Sequence, residues 1–436
     1  MQHFAKVNHS FSFIVPSSSL KTLFLTQGVF IMAQIYPFKA LRYTKKAGKL
    51  KNNICPPYDI ISPEERKALT EKSVFNLVHL EKPEGENKYV EARHTLESWI
   101  KNGVVAYDDS DSIYLYRVAF NFGGKEYYYD GIIALCKAYN FEEKVVLPHE
   151  NTLKGAKEDR FRLLLATRTS FSSVYSLYED KDGAVKTALN GVTDTEPVSC
   201  VTDGEGVTHT LWRISDENVI NAVVDGMADK KLYIADGHHR YETSLRYRDF
   251  TGYPEAGALL MTMVDMDSEG LLVLPTHRIL KKEADLEKIF ADMEEDFDIK
   301  VLDSKEETEK FLEENKHLHA FGIYAGGVYR GVTLKWALTD ATPVKDLDVS
   351  VLHDIILEKR FGVTKEDLAS QTCLEYTRDT SEAVQAVDGG ATAAFILNAT
   401  KVTQIRDVAD AGEKMPQKST YFHPKLISGL IMRRLF

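Results

Sequence analysis

The sequence predicts an α/β fold of the mixed, α+β kind. In the middle of the chain, strand and helix patterns follow one another in the stretches "THTLWRI", "NVINAVVDGMA", "KLYIA" and "YETSLRYRDF". Such alternation is typical of a sheet covered by helices. The chain has 436 residues, more than one ordinary hydrophobic core takes, so we expect two or three subdomains.

The chain is predicted to have four regions. Residues 1–31 contain no acidic residue and no regular period. They lack the cleavage site of an export signal and the long apolar run of a membrane span, so we interpret them as a disordered tail or the product of a start codon placed upstream of Met32. The other regions are an N-terminal α/β subdomain with a β-hairpin (residues 32–140), a core that carries the site (141–281), and a C-terminal α/β subdomain (282–436).

Local signals place the first elements. Ser62-Pro63-Glu64-Glu65 has the serine N-cap, first-turn proline and third-position glutamate of a capping box, which predicts a helix to about Lys72. In "ENKYVEARHTLESWIKNG" the apolar residues share one helical face, and Gly103 ends the helix. The two strand patterns around Gly123-Gly124 predict a hairpin.

The same reasoning covers the rest of the chain. The strand "KVVLP" leads into His149-Glu150, and "FSSVYSLY", "GALLMTMVDM" and "GLLVLPTHRIL" are each predicted as a strand. A helix runs through Glu158 to Thr167 with three residues facing inward, namely Phe161, Leu164 and Leu165. Beyond Lys281 we predict the helices "ADLEKIFADMEED", "VSVLHDIILEKRFG" and "TSEAVQAVDGG", the hairpin "FGIYAGGVYRGVTLKW" and the strand "TAAFILNA".

Charge and cysteine content limit the class of protein. The net charge of −11 argues against a nucleic-acid or membrane-surface partner, although a local pocket for a small anion remains open. The four cysteines are far apart and form no C-x-x-C pair, so neither a zinc knuckle nor a dithiol redox site is predicted. Scattered thiols suit a reducing compartment, and we expect a cytoplasmic protein.

The stretch Asp236-Gly237-His238-His239-Arg240, which we call the 236–240 turn, lies where a predicted parallel strand gives way to a helix. Free N–H groups and the dipole at a helix N-terminus favour an anion, and Gly237 lets the backbone approach it closely. The two histidines and Arg240 add donors, with arginine suited to bidentate contact with phosphate, while Asp236 is placed to hold Mg²⁺ or to order a hydroxyl. A histidine pair alone is usually structural, but ligands commonly bind at such strand ends. Zinc is disfavoured because adjacent histidines point apart.

Seven segments between Met32 and Leu435 form a pattern that extends over nearly the whole chain, namely "YPFKALRY", "CPPYDIIS", "LPHENT", Asp159-Arg160, "YIADGHHRYE", "LPTHRI" and "TYFHPKLISGLIM". In these segments the chain resembles a large bacterial family of unknown function that has a ParB/sulfiredoxin-like core. The D-G-H-H-R stretch is similar to the signature of free serine kinases built on this core. Sulfiredoxins have a cysteine where this chain has His238, and ParB partition proteins have G-E-R-R and bind CTP, so the kinase form fits best.

The resemblance implies a ParB/sulfiredoxin-like core with additional N- and C-terminal α/β elements. It also implies a phosphotransferase that acts in either direction between a nucleotide or pyrophosphate and a small hydroxy amino acid, free serine or phosphoserine. Glu150 would be the base and Asp236 would order the metal, expected to be Mg²⁺, or the hydroxyl. The phosphate or nucleotide would be bound by Gly237, His238, His239, Arg240, Arg160, His277 and Arg278. P-loop and protein-kinase motifs are absent from the sequence.

Several alternatives stay open at this point. The same pocket would serve a nucleotide-binding sensor of the ParB type or a phosphoserine phosphatase, and a homodimer is an open alternative for the assembly. Thr276-His277-Arg278 either reaches the site or is structural, and the "FHPK" stretch serves either folding or function. Lys154 and Lys157 either line the phosphate or form a solvated helix face. Tyr58-Asp59 either covers the pocket or shapes a turn.

Overall fold

The computed structural model describes residues 33–152, 154–339, 341–364, 367 and 373–436. The chain divides into two units, Met1–Ile31 and Met32–Phe436. The predicted N-terminal extension, residues 1–31, lies outside the described residues. The described part of the second unit has the mixed α/β architecture that the sequence predicts.

The strands, in chain order, are β1 (Ile35–Tyr36), β2 (Leu41–Tyr43), β3 (Val105–Tyr107), β4 (Ile113–Phe122), β5 (Lys125–Lys137), β6 (Val146–Leu147), β7 (Thr169–Ser170), β8 (Val174–Tyr178), β9 (Ser199–Thr202), β10 (Thr208–Ile214), β11 (Leu232–Asp236), β12 (Ala258–Asp265), β13 (Leu272–Val273), β14 (His277–Leu280), β15 (Phe297–Leu302), β16 (Ala320–Ala325), β17 (Val328–Leu334), β18 (Leu374–Thr377), β19 (Ala393–Leu397), β20 (Phe422–His423) and β21 (Arg433–Arg434).

The helices are α1 (Pro63–Lys72), α2 (Val78–Glu81), α3 (Lys88–Lys101), α4 (Lys154–Thr167), α5 (Ala184–Ala188), α6 (Glu217–Met227), α7 (His238–Thr251), α8 (Leu286–Met293), α9 (Lys305–Glu314), α10 (Asp348–Val351), α11 (Thr380–Asp388) and α12 (Val402–Asp410). A π-helical segment, Leu352–Glu358, continues α10. None of the described helices has the length and apolar character needed to cross a membrane.

The first sheet positions the candidate site. Within the described residues its strands run in the order β6-β11-β8-β12-β5-β4-β10-β9, and β1 pairs with β5. β6 and β11 are parallel neighbours, with Val146 opposite Leu232 and Leu147 opposite Tyr233. Because parallel strands end at the same edge of a sheet, the segments that follow β6 and β11 emerge side by side. β11 is antiparallel to β8 on its other side, so the sheet is mixed rather than parallel throughout.

The second sheet is antiparallel and follows the order β15-β17-β16-β19-β14-β18 in the described part of the chain. It contains β14, which the sequence had assigned to one long strand, "GLLVLPTHRIL". That assignment is wrong, because the stretch splits into β13, which pairs with β20, and β14. Pro275 lies between them, and a proline cannot donate to a strand ladder, which explains the break.

Local predictions for α1 and the β4–β5 hairpin are confirmed. The Ser62 hydroxyl accepts a hydrogen bond from the Glu65 backbone N–H at 3.1 Å and caps α1. Gly123 and Gly124 both adopt positive φ between the hairpin strands. The predicted inward position of Leu165 in α4 is wrong, since Leu165 is 40% exposed and Leu163 is buried instead. Leu165 lies about 100° beyond Leu164 around the helix and so falls outside the buried stripe.

The predicted subdomain boundaries do not coincide with breaks between sheets. β5, before residue 140, pairs with β12, which lies in the predicted core region. β14, before residue 281, pairs with β18 and β19 in the second sheet. Both predicted boundaries are thus crossed by strand pairing within a sheet. The division into subdomains 32–140, 141–281 and 282–436 stays a prediction.

Candidate functional site

The 236–240 turn has the strand–turn–helix geometry expected from the sequence. β11 ends at Asp236, Gly237 is the N-cap with φ +92°, and α7 begins at His238. A Cβ atom on Gly237 would lie 2.8 Å from Arg240 Nε. Glycine is therefore required here twice, for the left-handed backbone conformation and for the close approach of the Arg240 guanidinium.

Glu150 lies beside this turn. It follows β6 by three residues, and its Oε2 atom is 3.8 Å from Nδ1 of His238. Burial raises the pKa of Glu150, and the charge of Asp236 adds to this effect, while the charge of Lys418 and a backbone hydrogen bond from that residue oppose it. A carboxylate with a raised pKa is suited to accept a proton from a substrate hydroxyl near neutral pH.

Asp236 is held between two cations. Its Oδ2 accepts from Arg240 Nη2 at 2.5 Å and its Oδ1 accepts from Lys425 Nζ at 2.6 Å. Burial alone would raise the pKa of Asp236, but the charges of Lys425 and Arg240 hold it well below its ordinary value. The carboxylate is therefore ionised, and each of its oxygens already has a cationic partner.

This arrangement does not fit the predicted role of Asp236 as a metal ligand. A metal ion on Asp236 would have to displace Lys425 or Arg240. Moreover, the described residues contain no group of three or more His, Cys, Asp or Glu side chains placed to hold a metal ion. The predicted role of Asp236 as a Mg²⁺ ligand would require this ion pairing to rearrange, and it stays a prediction.

The guanidinium of Arg240 is also engaged. Besides its contact with Asp236, it donates through Nη1 to the backbone carbonyl of Ser173. A bidentate contact of Arg240 with phosphate would have to break these interactions, and that contact stays a prediction. In this structure Arg240 holds Asp236 and the start of α7 against the segment that precedes β8.

The rings of His149 and His238 meet edge to face, with centroids 4.8 Å apart. The His149 backbone N–H donates to His238 Nε2 at 3.4 Å. Burial lowers the pKa of His149 to about 4, and burial is also the largest cause that lowers the pKa of His238 well below its ordinary value. Both rings are neutral at pH 7, so neither supplies positive charge to a phosphate.

The C-terminal segment, residues 414–425, completes this part of the site. Met415 N–H donates to the His149 carbonyl at 2.8 Å, and the Thr420 hydroxyl lies 3.2 Å from His149 Nε2. Lys414 Nζ donates to the Pro148 carbonyl at 3.0 Å, and burial lowers the pKa of Lys414 to about 8.

Sequence reasoning did not assign site roles to Lys414, Lys418 or Thr420. For Lys425 a signal existed in the "FHPK" stretch, whose two interpretations were left open. The structure places Lys425 directly on Asp236.

Two further segments border the turn. Asp59 acts electrostatically on His239, Arg240 and Lys425, so the Tyr58-Asp59 segment faces the site. Burial lowers the pKa of His239. On α7, Glu242 accepts hydrogen bonds from the Thr152 hydroxyl at 2.9 Å and from Lys157 Nζ at 2.7 Å. Glu242 thus holds Thr152, two residues after Glu150, and its carboxylate is the partner of Lys157.

Arg160 is held by other groups than the 236–240 turn. Its Nε donates to Asp159 at 3.0 Å and its Nη1 donates to the Glu81 carbonyl at 2.6 Å. The guanidinium lies 4.0 Å from the centre of the Tyr58 ring. Burial raises the pKa of Tyr58 to about 12, and the charges of Arg160 and Arg240 both oppose this rise. The structure therefore places Arg160 at the border of the site with its donors engaged.

His277 and Arg278 lie within β14 of the second sheet, and both are buried. Leu397 N–H donates to His277 Nδ1 at 3.3 Å, and the Thr380 hydroxyl lies 3.4 Å from His277 Nε2. Arg278 donates to the carbonyls of Thr276 and Lys418. In this structure both side chains are engaged within the second sheet, and Arg278 also contacts the Lys418 carbonyl, so their predicted binding of phosphate stays a prediction.

Comparison with known proteins gives a family but no activity. A model of the family DUF1015, described as a protein of unknown function, matches residues 35–350. This match includes Glu150 and the 236–240 turn but ends before the C-terminal segment. No curated protein matches the sequence. The predicted membership of a family of unknown function is confirmed.

Several solved structures are weakly similar. A mutant free serine kinase in complex with ADP is 12% identical over 64% of this chain and 84% of that chain, with a TM-score of 0.33. A conserved hypothetical protein from Pyrococcus furiosus is 15% identical over 67% of this chain and 92% of that chain, with a TM-score of 0.33. C-terminally truncated SbnI from Staphylococcus aureus is 9% identical over 69% of this chain and 86% of that chain, with a TM-score of 0.34. Because these TM-scores are low, we draw no inference from the likenesses.

Proposed function

The chain belongs to the DUF1015 family of proteins of unknown function, and we propose that it is a phosphotransferase that moves a phosphoryl group between a nucleotide or pyrophosphate and free serine. The observation that carries the proposal is the position of Glu150 next to His238, at the adjacent carboxyl ends of β6 and β11. A carboxylate with a raised pKa thus lies at the N-terminus of α7, which is where a phosphate is favoured. The D-G-H-H-R resemblance to free serine kinases supports the choice of substrate.

The proposed step needs one base and positive charge around the phosphoryl group. The serine Oγ–H gives its proton to the Glu150 carboxylate while Oγ forms a bond to the terminal phosphorus. The bond from that phosphorus to the bridging oxygen breaks, and the bridging oxygen leaves with the remaining phosphate. Lys418 and Lys425 both favour the ionised form of Glu150. Lys425 stays paired with Asp236, so the proposal uses Lys418 to offset charge on the phosphates. No step is assigned to a metal ion, because Asp236 is occupied.

The proposal is tested by ³¹P NMR of the purified protein with serine or phosphoserine, a panel of nucleotides and pyrophosphate, with and without Mg²⁺. We expect phosphoserine to form, or to be consumed in the reverse direction. Glu150→Gln should leave nucleotide binding nearly unchanged and lower turnover about 100-fold or more, because the amide cannot take the proton. Glu158→Gln is the matched control: Glu158 is an exposed glutamate paired with Arg162 and Arg246, and its loss should leave turnover unchanged.

Other outcomes would decide between the alternatives. Nucleotide binding without any lasting product, unaffected by Glu150→Gln, would favour a sensor of the ParB type. Release of inorganic phosphate from phosphoserine without an acceptor nucleotide would favour a phosphatase. Full turnover of Glu150→Gln would show that Glu150 is not the base.

A further inference from the structure

We propose that His238 is a positioning residue for Glu150 and not a ligand of phosphate. Its Nε2 is fixed as a hydrogen-bond acceptor by the His149 backbone, which leaves Nδ1–H directed at the Glu150 carboxylate. The inference rests on the proposed function in that Glu150 is taken as the base. Its structural part, the position of the proton on the ring, is independent of any activity.

The tautomer follows from the contact with His149. A neutral imidazole has one protonated nitrogen and one acceptor nitrogen, and a backbone N–H group can only donate. Because the His149 N–H donates to His238 Nε2 at 3.4 Å, Nε2 carries no proton and Nδ1 carries it. The ring stays neutral at pH 7, because burial and the nearby charge of Lys414 disfavour its protonated form.

The donor N–H of His149 is itself held in place. On the same residue, the carbonyl accepts from Met415 N–H at 2.8 Å and the ring meets the Thr420 hydroxyl at 3.2 Å. The C-terminal segment therefore holds His149 through both its backbone carbonyl and its ring. The orientation of the His238 ring depends on this support, since a rotated ring would leave a buried N–H without an acceptor.

Nδ1 of His238 faces Glu150 Oε2 at 3.8 Å. This distance is longer than a hydrogen bond. Catalytic contacts are often this long without substrate and shorten in the substrate complex. The other groups that act on Glu150 are Asp236, which opposes its ionisation, and Lys418 and Lys425, which favour it. A neutral N–H donor adds direction to these charges, because it orients one lone pair of the carboxylate and leaves the other oxygen for substrate.

A pair of isosteric variants tests the proposal. In His238→Asn the amide nitrogen takes the place of Nδ1, so the donor to Glu150 is kept and the acceptor for His149 is lost. In His238→Gln the amide oxygen takes the place of Nε2, so the acceptor is kept and the donor is lost. We expect His238→Asn to keep most of kcat, and His238→Gln to lower kcat about 10- to 100-fold with little change in the KM for nucleotide.

The pH dependence gives a readout that a purely structural role would not move. Loss of the donor disfavours ionised Glu150, so the acid limb of the kcat profile should move to higher pH in His238→Gln and stay in place in His238→Asn. If His238 were a phosphate ligand, both variants would raise the KM for nucleotide to a similar extent. That result would overturn the proposal.

A measurement that needs no turnover separates this proposal from the proposed function. ¹⁵N NMR of the wild-type histidine rings, with the His238 signals assigned from the two variants, should show a proton on Nδ1 and none on Nε2 at pH 7. ¹³C NMR of the Glu150 carboxyl should show a higher pKa in His238→Gln than in wild type. A proton on Nε2, or an unchanged Glu150 titration, would refute the inference, whereas absence of turnover with both NMR results intact would refute only the phosphotransferase assignment.

Discussion

Replacing Lys425 by methionine should destabilise the protein strongly, because it removes one of the two cations that hold Asp236. The side chains of Asp236 and Lys425 are 15% and 13% exposed, and Lys425 Nζ lies 2.6 Å from Asp236 Oδ1. Removing one partner of a buried pair costs about 3–5 kcal/mol when the other charge is left alone. Arg240 continues to pair with Asp236, so we expect a loss of about 2–3 kcal/mol.

The sign of the pH dependence follows from the direction of the Asp236 shift. The pKa of Asp236 in the folded protein lies well below its ordinary value of 3.8. The stabilisation from this carboxylate is therefore fully present above pH 3.8 and is lost as the pH falls below that value. The difference in stability between wild type and Lys425→Met should be constant from about pH 5 to 8 and should shrink as the solution is acidified.

Urea denaturation followed by circular dichroism measures both quantities. Lys281→Met is the matched control, because Lys281 pairs with Glu375 in an exposed position and should cost less than about 1 kcal/mol. A double-mutant cycle with Asp236→Asn isolates the coupling between Asp236 and Lys425. A loss for Lys425→Met no larger than for Lys281→Met, or no coupling in the cycle, would refute the reasoning.

Two further predictions concern the local structure. Gly237→Ala should lower the free energy of unfolding, measured in urea, by about 1–3 kcal/mol more than Gly124→Ala. Both glycines have positive φ, but only at Gly237 would the new methyl group meet Arg240. Equal losses would show that the Arg240 contact does not constrain the turn. Ser62→Ala should lower the free energy of unfolding by about 1 kcal/mol, because the α1 cap is lost, whereas Ser62→Asp should keep the cap and the stability. An alanine variant as stable as wild type in urea denaturation would contradict the capping role.

The elements that sequence predicts well are those that depend on neighbouring residues. The N-cap of α1 at Ser62, the β4–β5 hairpin and the β11–Gly237–α7 turn all rest on side chains and backbone angles a few positions apart. Glu150 and the 236–240 turn could also be placed together, since both follow apolar strands and ligands bind at strand ends. The structure provides the missing fact that β6 and β11 are parallel neighbours.

The errors come from tertiary contacts that no local pattern encodes. Lys425 and Asp236 are 189 positions apart, and nothing near either residue indicates the other. The donors of Arg240 are apparent from sequence, whereas its acceptors in this structure, Asp236 and the Ser173 carbonyl, appear only after folding. The stretch "GLLVLPTHRIL" was predicted as one strand, but it divides at Pro275, and His277 begins β14, which is buried in the second sheet.

The position of Arg278 indicates that the second sheet helps to shape the site. Arg278 is 1% exposed, and burial lowers its pKa to about 10, with only Tyr376 favouring the charged form. A buried cation is costly unless its donors are used, and two of them hold the carbonyls of Thr276 and Lys418. Lys418 has φ +59°, a conformation that non-glycine residues avoid, so its peptide must be held by its surroundings. A hydrogen bond from the Lys418 backbone also favours the ionised form of Glu150. The strained backbone conformation of Lys418 therefore lies between the second sheet and the proposed base.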